Sequence, residues 1–221
     1  MRKNLKIVFP EGNDERVLRA AARLKFEGLI EPIILGDAKE VRALLAKFGF
    51  ADQDYVFINP AEYDKFDEMK EAFLEIRKGK VTPEDAERLL QDVNYFGVML
   101  VKLGLADGMV SGAIHSTADT VRPALQIIKT KPGISRTSGV FLMNRETTEQ
   151  RLVFADCAIN IDPTAQELAE IAVNTADTAK IFDIEPKIAM LSFSTKGSAK
   201  APQVEKVQTA TKIAQETRPD I

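Results

Sequence analysis

The chain has 221 residues, of which 45% are hydrophobic and 29% charged, and its formal net charge is -3 at pH 7. This length allows one large core or two modest ones, because domains commonly run to about 100 to 150 residues. Charges of both signs are interspersed, so we expect no nucleic-acid partner, since phosphate-backbone contacts require a cationic surface. The sequence shows neither a signal peptide nor a run of about 18 apolar residues, which predicts a cytoplasmic protein with no membrane partner.

The contents in cysteine and histidine narrow the possible chemistry. The single cysteine, Cys157, excludes an internal disulfide, and the single histidine, His115, argues against a transition-metal site. We therefore expect no metal, and catalysis must rest on Arg, Lys, Asp, Glu, Ser and Thr. Cys157 is interpreted as a small core residue rather than a nucleophile. His115 stands beside Ser116 without a G-x-S-x-G elbow, so we interpret it as a loop residue.

The chain begins with alternating strands and helices. Leu5 to Phe9 is a β-branched and aromatic run that predicts a strand, and Asn13 or Asp14 can then cap a helix that ends at Gly28. A second strand is predicted at Pro32 to Leu35, followed by a helix with apolar positions Val41, Leu44, Leu45 and Phe48. Strand, helix, strand, helix is the order of an α/β protein.

The middle of the chain continues this order. Val56 to Ile58 predicts a third strand, and Glu62 to Lys78 a helix. Thr82-Pro83-Glu84-Asp85 is a helix start signal, from which one helix should run from Pro83 to about Lys102. Gly108 to Ser111 predicts a short strand. The next helix should begin near Asp119 or Thr120, because Pro123 fits best within a first turn.

Lys131-Pro132-Gly133 predicts a break, so we expect domains at 1–134 and 135–221. The second domain should contain a hairpin, a helix that opens at Asp162-Pro163, a well-marked strand and a final helix. The predicted bounds are strands at Val140 to Met143, Leu152 to Ala155 and Lys187 to Phe193, and a helix at Val204 to Glu216. The whole pattern predicts an α/β protein with a mostly parallel sheet, in which ligands bind beyond the carboxyl ends of the strands.

Two segments that follow strands could bind an anion. The first runs from Ser111 to Pro123, where free N–H groups at a helix start, the hydroxyls of Ser116, Thr117 and Thr120, and Arg122 suit a phosphate. The alternative is an ordinary strand-to-helix turn with side-chain capping. The second is Ser192 to Lys200, with lysines, hydroxyls and a glycine but without the P-loop spacing, and its alternative is a solvated turn. Arg77 ends a predicted helix, where a cation often serves only the helix dipole.

Four stretches taken together resemble the phosphate acetyltransferase (phosphotransacetylase) family, in the order of that family. They are FPEGNDERVLRAA, YFGVMLVKLGLADGMVSGAIHSTADTVRPALQIIKT, FADCAINIDPTAQELAEIA and MLSFSTKGSAK. The resemblance covers essentially the whole chain but only the first two thirds of a family member. It implies two α/β domains of the isocitrate/isopropylmalate dehydrogenase type with mostly parallel sheets, a cleft between them, and a homodimer.

The resemblance also implies roles for individual residues. Arg77 and Arg122 match two arginines of the family's cleft and are expected to be catalytic, while Ser116 and Thr117 match the hydroxyl pair at the acetyl phosphate end. The remaining expected substrate-binding residues are Ser111, Thr120, Ser194, Lys196 and Gly197. Family chains continue beyond Ile221 with the aspartate that acts as base. We therefore expect the general base there, the first domain to be completed there, the second to be incomplete, and the 221 residues alone to be inactive.

The reaction implied is acetyl-CoA plus phosphate giving acetyl phosphate plus coenzyme A, in either direction. Coenzyme A is a substrate, and no bound cofactor is expected. Thiolate would attack the acetyl carbonyl directly, without an acyl-enzyme. Two alternatives stay open at this point: a transferase for butyryl or another acyl phosphate, and a non-catalytic fragment that binds coenzyme A or phosphate.

Overall fold

The computed structural model describes residues 5–50, 54–195 and 197–221. The chain divides into two compact units, Met1–Lys129 and Thr130–Ile221. Both contain helices and strands, and we describe each unit by itself. The predicted domains 1–134 and 135–221 stay a prediction.

The first unit contains a parallel four-stranded sheet in the order β3-β2-β1-β4. Its strands are β1 (Leu5–Phe9), β2 (Ile30–Leu35), β3 (Val56–Ile58) and β4 (Gly108–Met109). Strand β1 lies at the centre and pairs with both neighbours, for example Val8 with Ile33 of β2 and with Met109 of β4. The mostly parallel α/β sheet predicted from the sequence is confirmed in this unit.

Helices cover both faces of this sheet. They are α1 (Glu15–Phe26), α2 (Ala38–Lys47), α3 (Phe66–Arg77), α4 (Pro83–Leu90), α5 (Val93–Lys102) and α6 (Thr117–Ile127). Phe9 and Ile34 pack among residues of α1 and α2, whereas Val8, Ile33 and Leu35 pack among residues of α3 to α6. Adjacent strand residues thus contribute to opposite cores, because side chains of a strand alternate between the two faces.

Three helix predictions in the first unit are wrong in their bounds. The helix predicted from Glu62 begins only at Phe66, since Pro60–Glu62 forms a short 3-10 turn capped by Asn59. The helix predicted from Pro83 to Lys102 is two helices. Asp92 divides them, because its carboxylate accepts the N–H groups of Asn94 and Tyr95 and starts α5.

The third correction concerns α6. It begins at Thr117 with Ser116 as its cap, earlier than the predicted Asp119 or Thr120, and buried Pro123 lies inside it. Proline inside a helix leaves the carbonyl four residues earlier without its usual partner. Capping by Ser116, whose hydroxyl accepts the Asp119 N–H at 3.2 Å, sets the start instead of the proline.

The second unit contains the predicted hairpin and two long helices. Strands β5 (Val140–Arg145) and β6 (Gln150–Ala155) pair antiparallel. Helices α7 (Ala165–Ile181) and α8 (Pro202–Thr217) pack through a small alanine-rich core. Helix α7 begins after the predicted Asp162-Pro163, because Thr164 and Glu167 form a capping box.

The strand predicted at Lys187 to Phe193 is absent from the described structure. Ile188 and Met190 of this segment pack on the α7–α8 core, while Lys187, Ala189 and Leu191 are exposed, so the alternation of a strand is present. No strand pairs with the segment within the described part of the chain. An open cavity of about 270 Å³ lies between β6, α7 and residues 184–190.

Candidate functional site

Glu11 is the best-connected polar residue of the first unit. It lies just beyond the carboxyl end of β1 and is only 1% exposed. Its carboxylate accepts the backbone N–H groups of residues 112, 113, 114 and 115 at 2.8–3.2 Å. The Nδ1 atom of His115 lies 2.8 Å from Glu11 Oε1. We call residues Gly112–His115 the Glu11-bound loop.

These contacts set the charge of Glu11. Burial on its own would raise the pKa of Glu11, but the N–H groups of Ile114, Ala113 and His115 together lower it from 4.5 to about 2. The carboxylate is therefore ionised at neutral pH. The N–H groups of the Glu11-bound loop are thus occupied by an internal anion. That N–H groups at the start of the following helix receive phosphate stays a prediction.

The hydroxyls around the loop have partners of their own. Ser116 donates to Asp119 Oδ2 at 2.6 Å, and this bond is the main cause that lowers the pKa of Asp119. Ser111 donates to Asn94 Oδ1 at 2.6 Å and lies 3.5 Å from the hydroxyl of Thr120. Ser111 and Thr120 therefore lie together at the half-buried end of the segment, whereas Ser116 and Thr117 are exposed at the start of α6.

Arg77 reaches from the end of α3 to α6. Its Nη1 donates to the backbone carbonyl of Gln126 at 3.0 Å, and the hydroxyl of Tyr95 donates to the side-chain Oε1 of the same residue at 3.0 Å. The Nε of Arg77 and the Nδ2 of Asn94 are buried without a hydrogen-bond partner in the described structure. Leaving a buried donor unpaired is costly, and both of these atoms are shielded from solvent.

Arg122 is exposed on α6, and its positive charge affects the pKa of Tyr95. Burial raises the pKa of Tyr95, and the positive charges of Arg122 and Arg77 oppose that rise. Among the residues that the structure describes, neither arginine forms an ion pair with a carboxylate. Both predicted arginines thus act electrostatically on Tyr95, and Arg122 also helps to lower the pKa of Asp119.

The second predicted segment lies in the other unit and is internally bonded. Ser194 Oγ accepts the N–H of Ala199 at 3.0 Å and lies 3.2 Å from Ser198 Oγ, and Ser198 Oγ accepts the N–H of Thr195 at 3.1 Å. Gly197 is exposed with φ of 83°, the left-handed region that glycine adopts readily. Lys196 lies outside the described residues. These bonds are those of the turn considered as the alternative.

Asp156 repeats the chemistry of Glu11 in the second unit. Its carboxylate accepts N–H groups of residues 139, 158, 159 and 160 at 2.8–3.3 Å. Burial would raise the pKa of Asp156, but the bonds from Ala158, Ile159 and Asn160 lower it from 3.8 to about 2. The neighbouring Cys157 directs its Sγ to the carbonyl of Phe154 at 3.0 Å.

In the first unit, sequence reasoning missed four residues that contact the predicted site residues or the Glu11-bound loop: Glu11, Asn94, Tyr95 and Gln126. Glu11 stands within the stretch FPEGND, and a carboxylate two residues after a predicted strand was the available signal. Across residues 5–50, 54–195 and 197–221, no group of three or more His, Cys, Asp or Glu side chains is placed to hold a metal ion. Over the same ranges, no helix is long and apolar enough to cross a membrane.

Comparison with known proteins gives a consistent result. Residues 1–221 match the family model described as phosphate acetyl/butaryl transferase. The chain is 55% identical over 219 residues to phosphate acetyltransferase of Bacillus subtilis (strain 168), which covers 99% of this chain and 67% of that protein. It is 56% identical over 214 residues to phosphate acetyltransferase of Staphylococcus aureus (strain MRSA252), covering 97% and 65%.

Solved structures agree in fold. A phosphotransacetylase from Streptococcus pyogenes superposes with a TM-score of 0.93 at 82% identity, over 99% of this chain and 66% of that chain. A phosphotransacetylase from Staphylococcus aureus gives a TM-score of 0.87 at 55% identity, over 98% and 65%. The fold and the sequence thus place the chain in a class of α/β acyl-group transferases. The chain belongs to the phosphate acetyl/butaryl transferase family, and it spans about two thirds of the length of these relatives.

Proposed function

We propose that this chain carries the phosphate-binding part of an enzyme that transfers an acetyl group reversibly between coenzyme A and inorganic phosphate. Family membership supports the reaction. The observation that carries the site is that Arg77 and Arg122 both act electrostatically on Tyr95, while neither forms an ion pair with a carboxylate among the described residues. A guanidinium donates parallel hydrogen bonds to phosphate oxygens and needs no carboxylate partner when an anionic substrate supplies the charge. Thr117 and Thr120 are proposed as hydroxyl donors, together with Ser111 and Ser116, which would have to exchange their bonds to Asn94 and Asp119 for bonds to substrate.

The mechanism that we propose is direct. A thiol has an ordinary pKa of about 8.5, so a base must take its proton before the sulfur attacks the acetyl carbonyl of acetyl phosphate. The C–S bond forms, the C–O bond to phosphate breaks, and phosphate leaves with its electron pair. Arginine and hydroxyl donors then stabilise the charge that develops on the carbonyl oxygen and on phosphate. In the reverse direction phosphate attacks the thioester.

The base is proposed to lie beyond Ile221, and the pKa values within the chain support this. A carboxylate with a pKa of about 2, as for Glu11 and Asp156, is a weak acceptor for a thiol proton, and the N–H donors already occupy it. The pKa of Asp119 is also lowered, chiefly by Ser116. Cys157 is left without a covalent role.

The larger architecture follows from the family as part of the same proposal. It comprises two domains of the isocitrate/isopropylmalate dehydrogenase type, a cleft between them that holds both substrates, a homodimer and a cytoplasmic location. In the whole protein, Ser194, Lys196 and Gly197 would contribute to the substrate-binding surface of the second domain. The self-bonded turn around Ser194 would then have to exchange some of its internal bonds for substrate.

The test is phosphate-dependent release of thiol from acetyl-CoA, measured on this chain and on a version extended to the length of its relatives. We expect activity only in the extended version. Arg77→Ala and Arg122→Ala in that version should each lower kcat/KM by about 10² to 10³-fold, because a charge-assisted donor is lost. Arg19→Ala is the matched control, since Arg19 pairs with Glu15 on the surface of α1.

Wild-type rates in either site variant would remove that arginine from the site. An extended protein that binds coenzyme A but releases no thiol would instead make the chain part of a binding module. A parallel assay with butyryl-CoA shows whether the extended protein prefers the acetyl or the butyryl group.

A further inference from the structure

The Glu11-bound loop connects two groups of proposed phosphate ligands. Ser111 precedes it, and Ser116 and Thr117 follow it at the start of α6. The N–H groups of residues 112–115 all face the Glu11 carboxylate, so the loop is wrapped around an anion that belongs to the protein. Its position is consequently fixed by Glu11 before any substrate is present.

The fold explains why this carboxylate meets this loop. Parallel strands β1 and β4 end side by side at the same sheet edge, and Val110 N–H extends their pairing by donating to Val8 at 3.0 Å. Gly12 then packs so tightly that a Cβ atom would lie 2.2 Å from the Leu35 carbonyl oxygen. Arg16 holds the loop from its other side by donating to the Ala113 carbonyl at 2.8 Å.

The contact between Glu11 and His115 also determines which ring nitrogen of His115 carries the proton. An ionised carboxylate can only accept hydrogen bonds, so the 2.8 Å contact between Glu11 Oε1 and His115 requires the proton on Nδ1. In the neutral ring, Nε2 then carries a lone pair and cannot donate to a phosphate oxygen. His115 is therefore not a phosphate ligand in this state, although it directly precedes the helix with the proposed hydroxyl ligands.

We propose that Glu11 is a positioning residue for the phosphate side of the site, which acts by holding the Glu11-bound loop and by keeping the proton of His115 on Nδ1. Because Glu11 occupies the backbone N–H groups, substrate phosphate is left to side-chain donors. The catalytic consequence rests on the proposed function, whereas the contact with His115 does not.

The first experiment reads the tautomer directly. His115 is the only histidine in the sequence, so ¹⁵N NMR of histidine-labelled chain reports on it without assignment. At an alkaline pH where the ring is neutral, we expect the Nδ1-protonated form to dominate, in contrast to the free amino acid, and Glu11→Ala to abolish that preference. A dominant Nε2-protonated form in the wild-type chain overturns the proposal, even if the Glu11→Ala variant does not fold.

The second experiment measures kinetics in the extended protein. Glu11→Gln places an NH₂ group against backbone N–H donors, so we expect the KM for phosphate to rise at least about 10-fold as the loop shifts. The KM for acetyl-CoA should change less, within about 2-fold, since the Glu11-bound loop joins the residues proposed to bind phosphate. Glu15→Gln, at an exposed position of α1, is the matched control. Equal changes in both KM values would mean general damage and would refute a positioning role.

The two experiments also separate this inference from the function on which it rests. If the extended wild-type protein has no transferase activity, the proposed function fails, and the tautomer still decides whether Glu11 orients His115. If activity is present and the tautomer is wrong, only the present inference fails.

Discussion

The two units bury their apolar residues to very different degrees. In the first, helices cover both faces of a four-stranded sheet, and Phe73 and Phe96 are fully buried. In the second, Phe141 of the hairpin is 55% exposed, and Phe193 in the unpaired segment is 70% exposed. Apolar, strand-like sequence occurs in both units. Such sequence therefore becomes a buried strand only where neighbouring strands and helices are available to cover it.

A matched pair of phenylalanine substitutions should show this difference most strongly. Phe73→Ala removes a fully buried ring from the first unit and should lower its free energy of unfolding by about 3 to 5 kcal/mol. Phe141→Ala removes a half-exposed ring from the hairpin and should cost less than about 1 kcal/mol. Hydrogen exchange of the amides of each unit measures both. Equal costs would mean that the hairpin is covered in solution.

Gly12 and Gly139 test how tightly the backbone is packed in each unit. Gly12→Ala would place a Cβ 2.2 Å from the Leu35 carbonyl oxygen, a backbone atom that cannot move aside, and should cost about 1 to 3 kcal/mol or more. Gly139→Ala in the second unit would meet Asp156 Oδ1 only at 3.4 Å and should be nearly neutral. Thermal unfolding of the two variants checks this, and a tolerated Gly12→Ala would show that the first unit is less tightly packed than described.

The carboxylate of Asp156 gives a smaller, pH-dependent effect. Its pKa is 3.8 ordinarily and about 2 in the folded chain, so its stabilisation is fully present above 3.8 and is lost as pH falls towards 2. Asp156→Asn should therefore cost about 1 to 2 kcal/mol near neutral pH, counting about 1.4 kcal/mol per pKa unit and allowing for partial exposure. The difference from wild type should shrink below pH 3.8. If the loss of unfolding free energy in Asp156→Asn were the same at every pH, the fold would not stabilise the ionised Asp156 carboxylate.

The smallest effect is expected at Cys157. Its Sγ hydrogen-bonds to the backbone carbonyl of Phe154, and the proposed transfer is direct, so Cys157→Ala should retain most activity in the extended protein. Steady-state rates and mass spectrometry after incubation with acetyl phosphate measure this. An acetylated Cys157 would contradict the direct mechanism and would place chemistry in the more open unit.

The sequence allowed most elements of the first unit to be predicted, because their signals are local. Asp14 and Asp37 cap helices by bonding N–H groups two and three residues away, and β1 and β3 have the predicted bounds. The segment from Lys187 could not be judged in this way. Its apolar alternation is real, but strand formation depends on a partner that is distant in sequence.

In the candidate site, too, residues with local sequence signals could be predicted, and residues that depend on distant contacts could not. Arg77, Arg122 and the hydroxyls around the start of α6 stand in recognisable sequence stretches, so they could be proposed from sequence, and their roles stay predictions. Glu11 could not, because its burial and its low pKa arise only when the ends of β1 and β4 meet. Nor does the sequence reveal that Asn94 Nδ2 is buried without a partner.

The central place of β1 in the sheet has a consequence for how the chain folds during synthesis. Strand β1 can pair with β2 as soon as the first 35 residues are available, whereas its other edge waits for β4, about 100 residues further along. At about 5 to 20 residues per second, that edge stays open for several seconds on a ribosome. Until β4 arrives, Glu11 also lacks the loop that binds it. The nascent chain is therefore most exposed to strand-to-strand misassociation before residue 109 emerges.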